Sequence, residues 1–207
     1  MRVELVQTTT RDDIVLDGFF LAPQGPQQPT ATDAFLLVHG TTGNFYNSSI
    51  LMWATSLQQA GYGVASFNTR GHDVIASAGP GRFIGTAFEI LQDCLIDLES
   101  AIDWMTERNY RRIALLGVSM GAVKVIYYQA HLQDPRVVTV FAVSPLRLSR
   151  SYYLTTEAAT DYERYYQEAQ GSIKSGHPET LFHVLEDIVP GQGIFGAQAY
   201  VKKYGSE

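Results

Sequence analysis

The chain has 207 residues, enough for one domain or one and a fraction, and long enough to bury a sizeable core. With 45% hydrophobic and 17% charged residues it is not a disordered chain, and its net charge of −6 argues against nucleic acid or anionic lipid held by bulk charge. A single cysteine excludes an intrachain disulfide and a Cys-rich zinc site, and no cofactor or metal is expected.

The N-terminal MRVELVQTTTRDD lacks the apolar run of a secretory signal. No stretch reaches the roughly 18 apolar residues of a membrane span, so a cytoplasmic protein is expected. Val3–Thr8 and Ile14–Ala22 read as strands joined by a polar turn at Arg11–Asp13, a hairpin. Pro23–Asp33 is a proline-rich loop. Ala34–Val38 (AFLLV) is a continuous apolar run of strand length, as in a strand buried on both faces. The spacing of Ile50, Trp53, Ala54 and Leu57 predicts a helix over Ser48–Ala60 that Gly61 stops.

The alternation then repeats. Gly63–Phe67 reads as a strand, followed by a polar loop (NTRGHD) and a Gly/Pro-rich stretch to about Gly85. Glu89–Arg108 has helical periodicity, Arg112–Leu116 is a buried-type strand, Met120–Leu132 is helical, and Val137–Val143 is again a strand. Strand and helix alternating in this way predict an α/β fold, a mostly parallel sheet with helices on both faces. Beyond Pro145, the periodicity predicts helices over Tyr152–Gln170, Glu179–Asp187 and Ala197–Tyr204, with a flexible loop at Gly191–Gly196. No strand is predicted after Val143, so Val137–Val143 would be left as an apolar sheet edge.

The sharpest chemical signal is Gly117-Val118-Ser119-Met120-Gly121, between a predicted strand and a predicted helix. This is the G-x-S-x-G pattern, in which a tight turn lifts a serine hydroxyl out at the strand's carboxyl end. A chain of this composition yields roughly 0.1 such matches by chance. The second signal is His39-Gly40-Thr41-Thr42-Gly43, directly after AFLLV. Acyl transfer needs two N–H donors aimed at a developing oxyanion. Met120, after the serine, would supply one, and Thr41 the other, with Thr42 as the neighbouring alternative.

Asn68-Thr69-Arg70-Gly71-His72-Asp73 offers a His-Asp pair, but adjacent side chains on an extended loop point apart. Arg70 and His72 are therefore expected to brace the loop. Cys94 reads as core, Lys124 as a helix-surface or packing residue, and the tyrosines of 152–166 as either pocket lining or packing. Gly79-Pro80-Gly81-Arg82 lacks the Lys-Ser/Thr ending of a nucleotide-binding loop.

HGTTGNFY, FNTRGHD, TAFEILQDCLIDLESAIDW and LLGVSMGAVKVIYY occur in an order and spacing that resemble the alpha/beta-hydrolase superfamily, most closely its serine esterase, lipase and aminopeptidase-like branch. The resemblance covers about residues 3–145. It implies Ser119 as nucleophile, Thr41 and Met120 as oxyanion-hole positions, and His39 and His72 as structural. It also implies a hydrolase core over 1–145, a helical cap insertion over 146–196 and a return helix over 197–207. The implied substrate is a small ester or acyl compound, less readily an amide, attacked through an acyl-enzyme on Ser119.

The family takes its acid and its histidine from loops after a seventh and an eighth strand, and neither strand is visible here. Only His177 and His183 follow Ser119 at a useful distance, and His183 at helical spacing from Asp187 reads as a surface pair. The chain is thus expected to be a piece of a longer serine hydrolase. The rival reading is a hydrolase-like binding protein without the base.

Overall fold

The computed structural model describes residues 3–25, 31–185 and 193–205. They fall into two compact units, Met1–Arg70 with Gln92–Leu146, and Gly71–Leu91 with Arg147–Glu207.

The first unit is a six-stranded sheet with three helices. Its strands are β1 (Glu4–Thr9), β2 (Val15–Leu21), β3 (Ala34–Val38) and β4 (Gly63–Phe67), with α1 (Ser48–Gln59) between the last two. In the second unit come β5 (Ala76–Ser77) and β6 (Phe83–Ile84), after which the first unit resumes with α2 (Cys94–Glu107), β7 (Ile113–Val118), α3 (Met120–Leu132) and β8 (Val137–Val143). The strand order is β1-β2-β4-β3-β7-β8. β4, β3, β7 and β8 run parallel, and β1 and β2 join as an antiparallel hairpin. No seventh or eighth strand of this sheet occurs among the described residues, as the sequence predicts, and β8 is its edge.

Side chains alternate across the strands, and the two faces can be read from their packing. Phe19, Leu21, Phe35, Leu37 and Val64 form one cluster with Ile50 and Ala54 of α1. Their neighbours Phe20 and Phe67 meet Trp104 of α2 instead, at ring centroids 5.7 and 5.3 Å away. Each such side chain taken fully out of water contributes about 1.5–3 kcal/mol. α1 begins where Asn47 Oδ1 accepts the Ile50 N–H at 3.1 Å, satisfying a first-turn donor.

The second unit also contains α4 (Arg150–Tyr153), α5 (Ala159–Lys174), β9 (Leu181–Val184), β10 (Gly193–Gly196) and α6 (Ala197–Tyr204). Tyr153, Tyr162, Tyr165, Tyr200 and Tyr204 are buried with Val184 and Phe195 in one cluster. The tyrosines at 153, 162 and 165 are thus packing residues.

Several sequence expectations are corrected here. The helix expected over Glu179–Asp187 is strand β9 through Val184, and the loop expected at Gly191–Gly196 is strand β10 from Gly193. The two pair antiparallel, Ile194 opposite His183, so strands do follow Val143. Leu181, Phe182, His183 and Val184 alternate between outward and inward, the two-residue period of a strand. His183 is an exposed residue of that strand, and Asp187, its expected surface partner, lies outside the described residues. The helix expected from Glu89 begins at Cys94, because Glu89 is extended (φ −69°, ψ 122°) and its buried carboxylate is held 2.6 Å from Lys203 Nζ. The helix expected over Tyr152–Gln170 is two helices, α4 and α5. Gly79–Arg82 lies in the β5–β6 turn, with the Ala78 N–H on the Arg82 carbonyl at 2.9 Å. The Pro23–Asp33 loop lies partly outside the described residues. Among them, no helix is long and apolar enough to cross a membrane, and no group of His, Cys, Asp or Glu has the arrangement of a metal site.

Candidate active site

The parallel pairing of β3 with β7 sets Val38 opposite Gly117, so the two strands end side by side. The chain leaves β7 through Val118 and Ser119 directly into α3. Ser119 has φ 57° and ψ −118°, a left-handed backbone that a side-chain-bearing residue adopts at a cost of order 1–3 kcal/mol. A Cβ at Gly117 would overlap the Gly121 carbonyl oxygen, and one at Gly121 would overlap the Val38 carbonyl oxygen. Both glycines are therefore required by close backbone approach, Gly117 within the turn and Gly121 against the end of β3. The Ser119 N–H is held by the Val143 carbonyl of β8 at 2.9 Å. Its side chain is half-buried and makes no hydrogen bond to another described residue.

The His39–Gly43 loop lies against this turn. A Cβ on Gly40 would stand 3.0 Å from Ser119 Cβ and 3.5 Å from Ser119 Oγ, so the Gly40 backbone passes beside the hydroxyl. Gly43 N–H closes the loop onto the Gly40 carbonyl at 3.1 Å. Neither the Thr41 N–H nor the Met120 N–H, at the first residue of α3, meets an acceptor among the described residues. Open N–H groups at a helix start, with the positive end of its dipole, favour an anion. Ser119, Thr41 and Met120, the three residues singled out by the sequence, are thus within one turn-and-loop unit. Thr42 has φ 55° and is exposed.

The loop after β4 braces this arrangement. Asn68 Oδ1 accepts the Phe45 N–H at 2.9 Å, and the Thr69 N–H is donated to His39 Nε2 at 3.1 Å. Arg70 supports the loop as expected. Its N–H, Nε and Nη2 donate to Asp97 at 2.8, 2.9 and 2.8 Å, and its Nη1 and Nη2 to Asp12 at 3.0 and 3.1 Å. The guanidinium holds the Asp12 carboxyl at about 2, below its ordinary range, chiefly by direct hydrogen bonding. Burial pushes the Asp97 carboxyl upward, and the Arg70 donors oppose that push.

In the second unit, His72 Nδ1 lies 2.8 Å from Asp73 Oδ2. The sequence expectation that these adjacent side chains point apart is corrected: Asp73 has φ 52°, which turns its carboxylate back toward the ring. Residues 71–91 belong to this unit, so the His72 pair and Ser119 stand in different units.

In the first unit both histidines are occupied elsewhere. His39 is buried with Nδ1 on the Gly40 carbonyl at 3.0 Å and Nε2 on Thr69. His131 is twelve residues from Ser119 on the same helix, about 18 Å along its axis, and its Nδ1 meets the Tyr127 carbonyl. His177 is an exposed loop residue and His183 an exposed strand residue of the second unit. Cys94 is buried, as expected. Of the two expectations for Lys124, packing holds and helix surface does not: it is 1% exposed, and its Nζ donates to Thr69 Oγ1 at 2.8 Å. The sequence carried no signal for that bond, since it spans 55 residues.

No family model matches the chain. Solved structures match it closely in fold. The alpha/beta hydrolase GrgF from Penicillium sp. sh18 superposes with a TM-score of 0.69 over 98% of this chain and 73% of its own length, at 18% identity. The chain has the alpha/beta-hydrolase fold.

The esterase Pf2001 of Pyrococcus furiosus matches with a TM-score of 0.55 over 70% of this chain and 51% of its own length, at 21% identity. XC6422 from Xanthomonas campestris, described as a serine hydrolase of this fold without a lid, matches with a TM-score of 0.51 over 65% of this chain and 58% of its own length, at 19% identity. The chain therefore spans between about half and three-quarters of the alpha/beta-hydrolase structures it resembles. The carboxyl ends of β3 and β7, where the loop and the turn meet, are where open α/β sheets bind ligands.

Proposed function

We propose that the chain carries the nucleophile and the oxyanion-binding half of a serine hydrolase acting on small carboxylic esters, and less readily on amides. The observation that carries this reading is Ser119 itself: a serine in left-handed backbone just before α3, its hydroxyl bonded to no described residue and the Gly40 backbone passing beside it. Ser119 Oγ attacks the ester carbonyl. The negative charge that gathers on the carbonyl oxygen is met by the Met120 and Thr41 N–H groups, which are worth most where charge develops. Collapse expels the alcohol and leaves an acyl group on Ser119, which water then removes. A base must take the serine proton, and no histidine of the first unit is available for it. The esterase and serine-hydrolase descriptions of Pf2001 and XC6422 agree with this class of reaction. A cytoplasmic location belongs to the same proposal.

A second reading, a binding protein that holds an acyl compound without turning it over, is favoured by the engagement of both first-unit histidines elsewhere. The two are separated by prolonged exposure to an alkyl fluorophosphonate, which phosphonylates a serine whose oxyanion donors are in place, at a reduced rate where no base takes the proton. Intact-mass and peptide mass spectrometry should find one phosphonyl group, on Ser119. Ser119→Ala should abolish it and leave the melting temperature within a few degrees. Modification that survives Ser119→Ala, or a wild-type chain that stays unmodified while folded, contradicts the hydrolase reading.

A further inference from the structure

We infer that Lys124 is a positioning residue for the peptide that joins Gly40 to Thr41, acting through Thr69 and His39. The inference rests on the reading of the Thr41 N–H as an oxyanion donor.

The direction of each hydrogen bond follows from what its atoms can do. The Thr69 N–H can only donate, and it points at His39 Nε2 at 3.1 Å. Nε2 therefore carries a lone pair, and the ring proton sits on Nδ1, 3.0 Å from the Gly40 carbonyl that accepts it. Lys124 Nζ has donors only, so Thr69 Oγ1, 2.8 Å away, accepts from it. The Thr69 hydroxyl proton then faces His39 Nε2, 3.1 Å from Oγ1, and shares that nitrogen's one lone pair with the Thr69 N–H. Donation runs one way throughout, from Lys124 to Thr69 to His39 to Gly40. Bonds arranged in this sense polarise one another. The relay is dry: Lys124, Thr69 and His39 are 1%, 3% and 0% exposed.

Its last member explains what it can control. The Gly40 carbonyl and the Thr41 N–H belong to one planar, trans peptide and point in opposite directions. Fixing the carbonyl on His39 Nδ1 and on the Gly43 N–H therefore fixes the direction of the Thr41 N–H. That peptide begins at the Gly40 α-carbon, which passes beside Ser119. The relay begins on α3 five residues after Ser119, so one helix positions the nucleophile through its first turn and the loop through its buried lysine. For packing alone, an apolar side chain would serve without the penalty of an ammonium in a dry interior. The Asp97 carboxylate, on which Lys124 acts electrostatically, offsets part of that penalty.

The test compares the wild-type chain with Lys124→Met, Lys124→Gln and Thr69→Val, the last removing the hydroxyl while keeping the backbone donor. Three quantities are read: the nitrogen resonances of the His39 ring, the amide resonance of Thr41, and the second-order rate of Ser119 modification by an alkyl fluorophosphonate. The wild type should show His39 protonated on Nδ1. Lys124→Met and Thr69→Val should shift the Thr41 amide and slow modification about 10- to 100-fold, the cost of a small misplacement at a reacting centre. Lys124→Gln, which keeps a donor, should recover part of the rate. An unchanged Thr41 amide and an unchanged rate in Thr69→Val, the variant that disturbs packing least, overturn the relay, as does His39 protonated on Nε2 in the wild type. If the wild-type serine does not react at all, the hydrolase reading falls instead, and the His39 and Thr41 resonances still decide whether the relay exists.

Discussion

At the scale of single residues, local sterics and long-range contacts differ in how far the sequence reveals them. Gly117, Ser119 and Gly121 are legible because their constraint is nearly local: a turn this tight excludes side chains two residues before and two residues after the serine. Thr41 is legible only by its place after an apolar strand. Lys124 is not legible, since its burial depends on Thr69, brought beside it by the fold. The His72–Asp73 contact is illegible for another reason, a left-handed Asp73 that nothing in its neighbours announces. The Arg70 cluster, which anchors the loop beside the site, yields a pH prediction. Asp12 is held at about 2 against an unfolded value near 3.8, so the unfolded chain takes up its proton first as the pH falls. The stability this contributes is fully present above about pH 4 and is lost between roughly 4 and 2. Partial exposure of Asp12 limits it to about 1 kcal/mol. Urea unfolding at pH 5 and pH 2 should therefore show a larger loss in the wild type than in Asp12→Asn. Equal losses would mean that the Arg70–Asp12 contact contributes nothing.

At the scale of elements, the strands and helices of the sheet were recoverable because each strand is a short apolar run and each helix has an apolar stripe. The C-terminal elements were not. A four-residue strand such as β9 satisfies helical and extended patterns equally, and only its pairing with β10 decides between them. The periodicity starts α2 too early because it continues through Glu89, whereas the buried bond to Lys203 holds that residue extended. This ion pair, at 1% and 3% exposure, is a further point of test. Lys203→Met leaves the Glu89 carboxylate buried without its cation, which should destabilise the chain by about 3–5 kcal/mol in urea unfolding. The double variant Lys203→Met with Glu89→Gln should recover most of that loss. A loss under about 1 kcal/mol in Lys203→Met would mean that water reaches Glu89 in its place.

At the scale of the whole molecule, the fold assignment and the proposed chemistry stand on different ground. The mixed sheet of order β1-β2-β4-β3-β7-β8 and its likeness to alpha/beta hydrolases define the fold. The chemistry stands on where that sheet ends: in-register β3 and β7 bring a loop with an open N–H against a strained serine. This junction was half legible in the sequence, as two motifs after two apolar runs, but their adjacency comes only from the strand order. The central claim is that Ser119 attacks while Thr41 and Met120 hold the oxyanion. Its most direct test is a crystal structure of the chain after reaction with an alkyl fluorophosphonate, whose adduct mimics the tetrahedral intermediate. The account predicts phosphorus bonded to Ser119 Oγ, with one phosphonyl oxygen about 2.7–3.1 Å from both the Thr41 and the Met120 nitrogen. An adduct on another residue, or a phosphonyl group on Ser119 with neither N–H in reach of its oxygens, would contradict it.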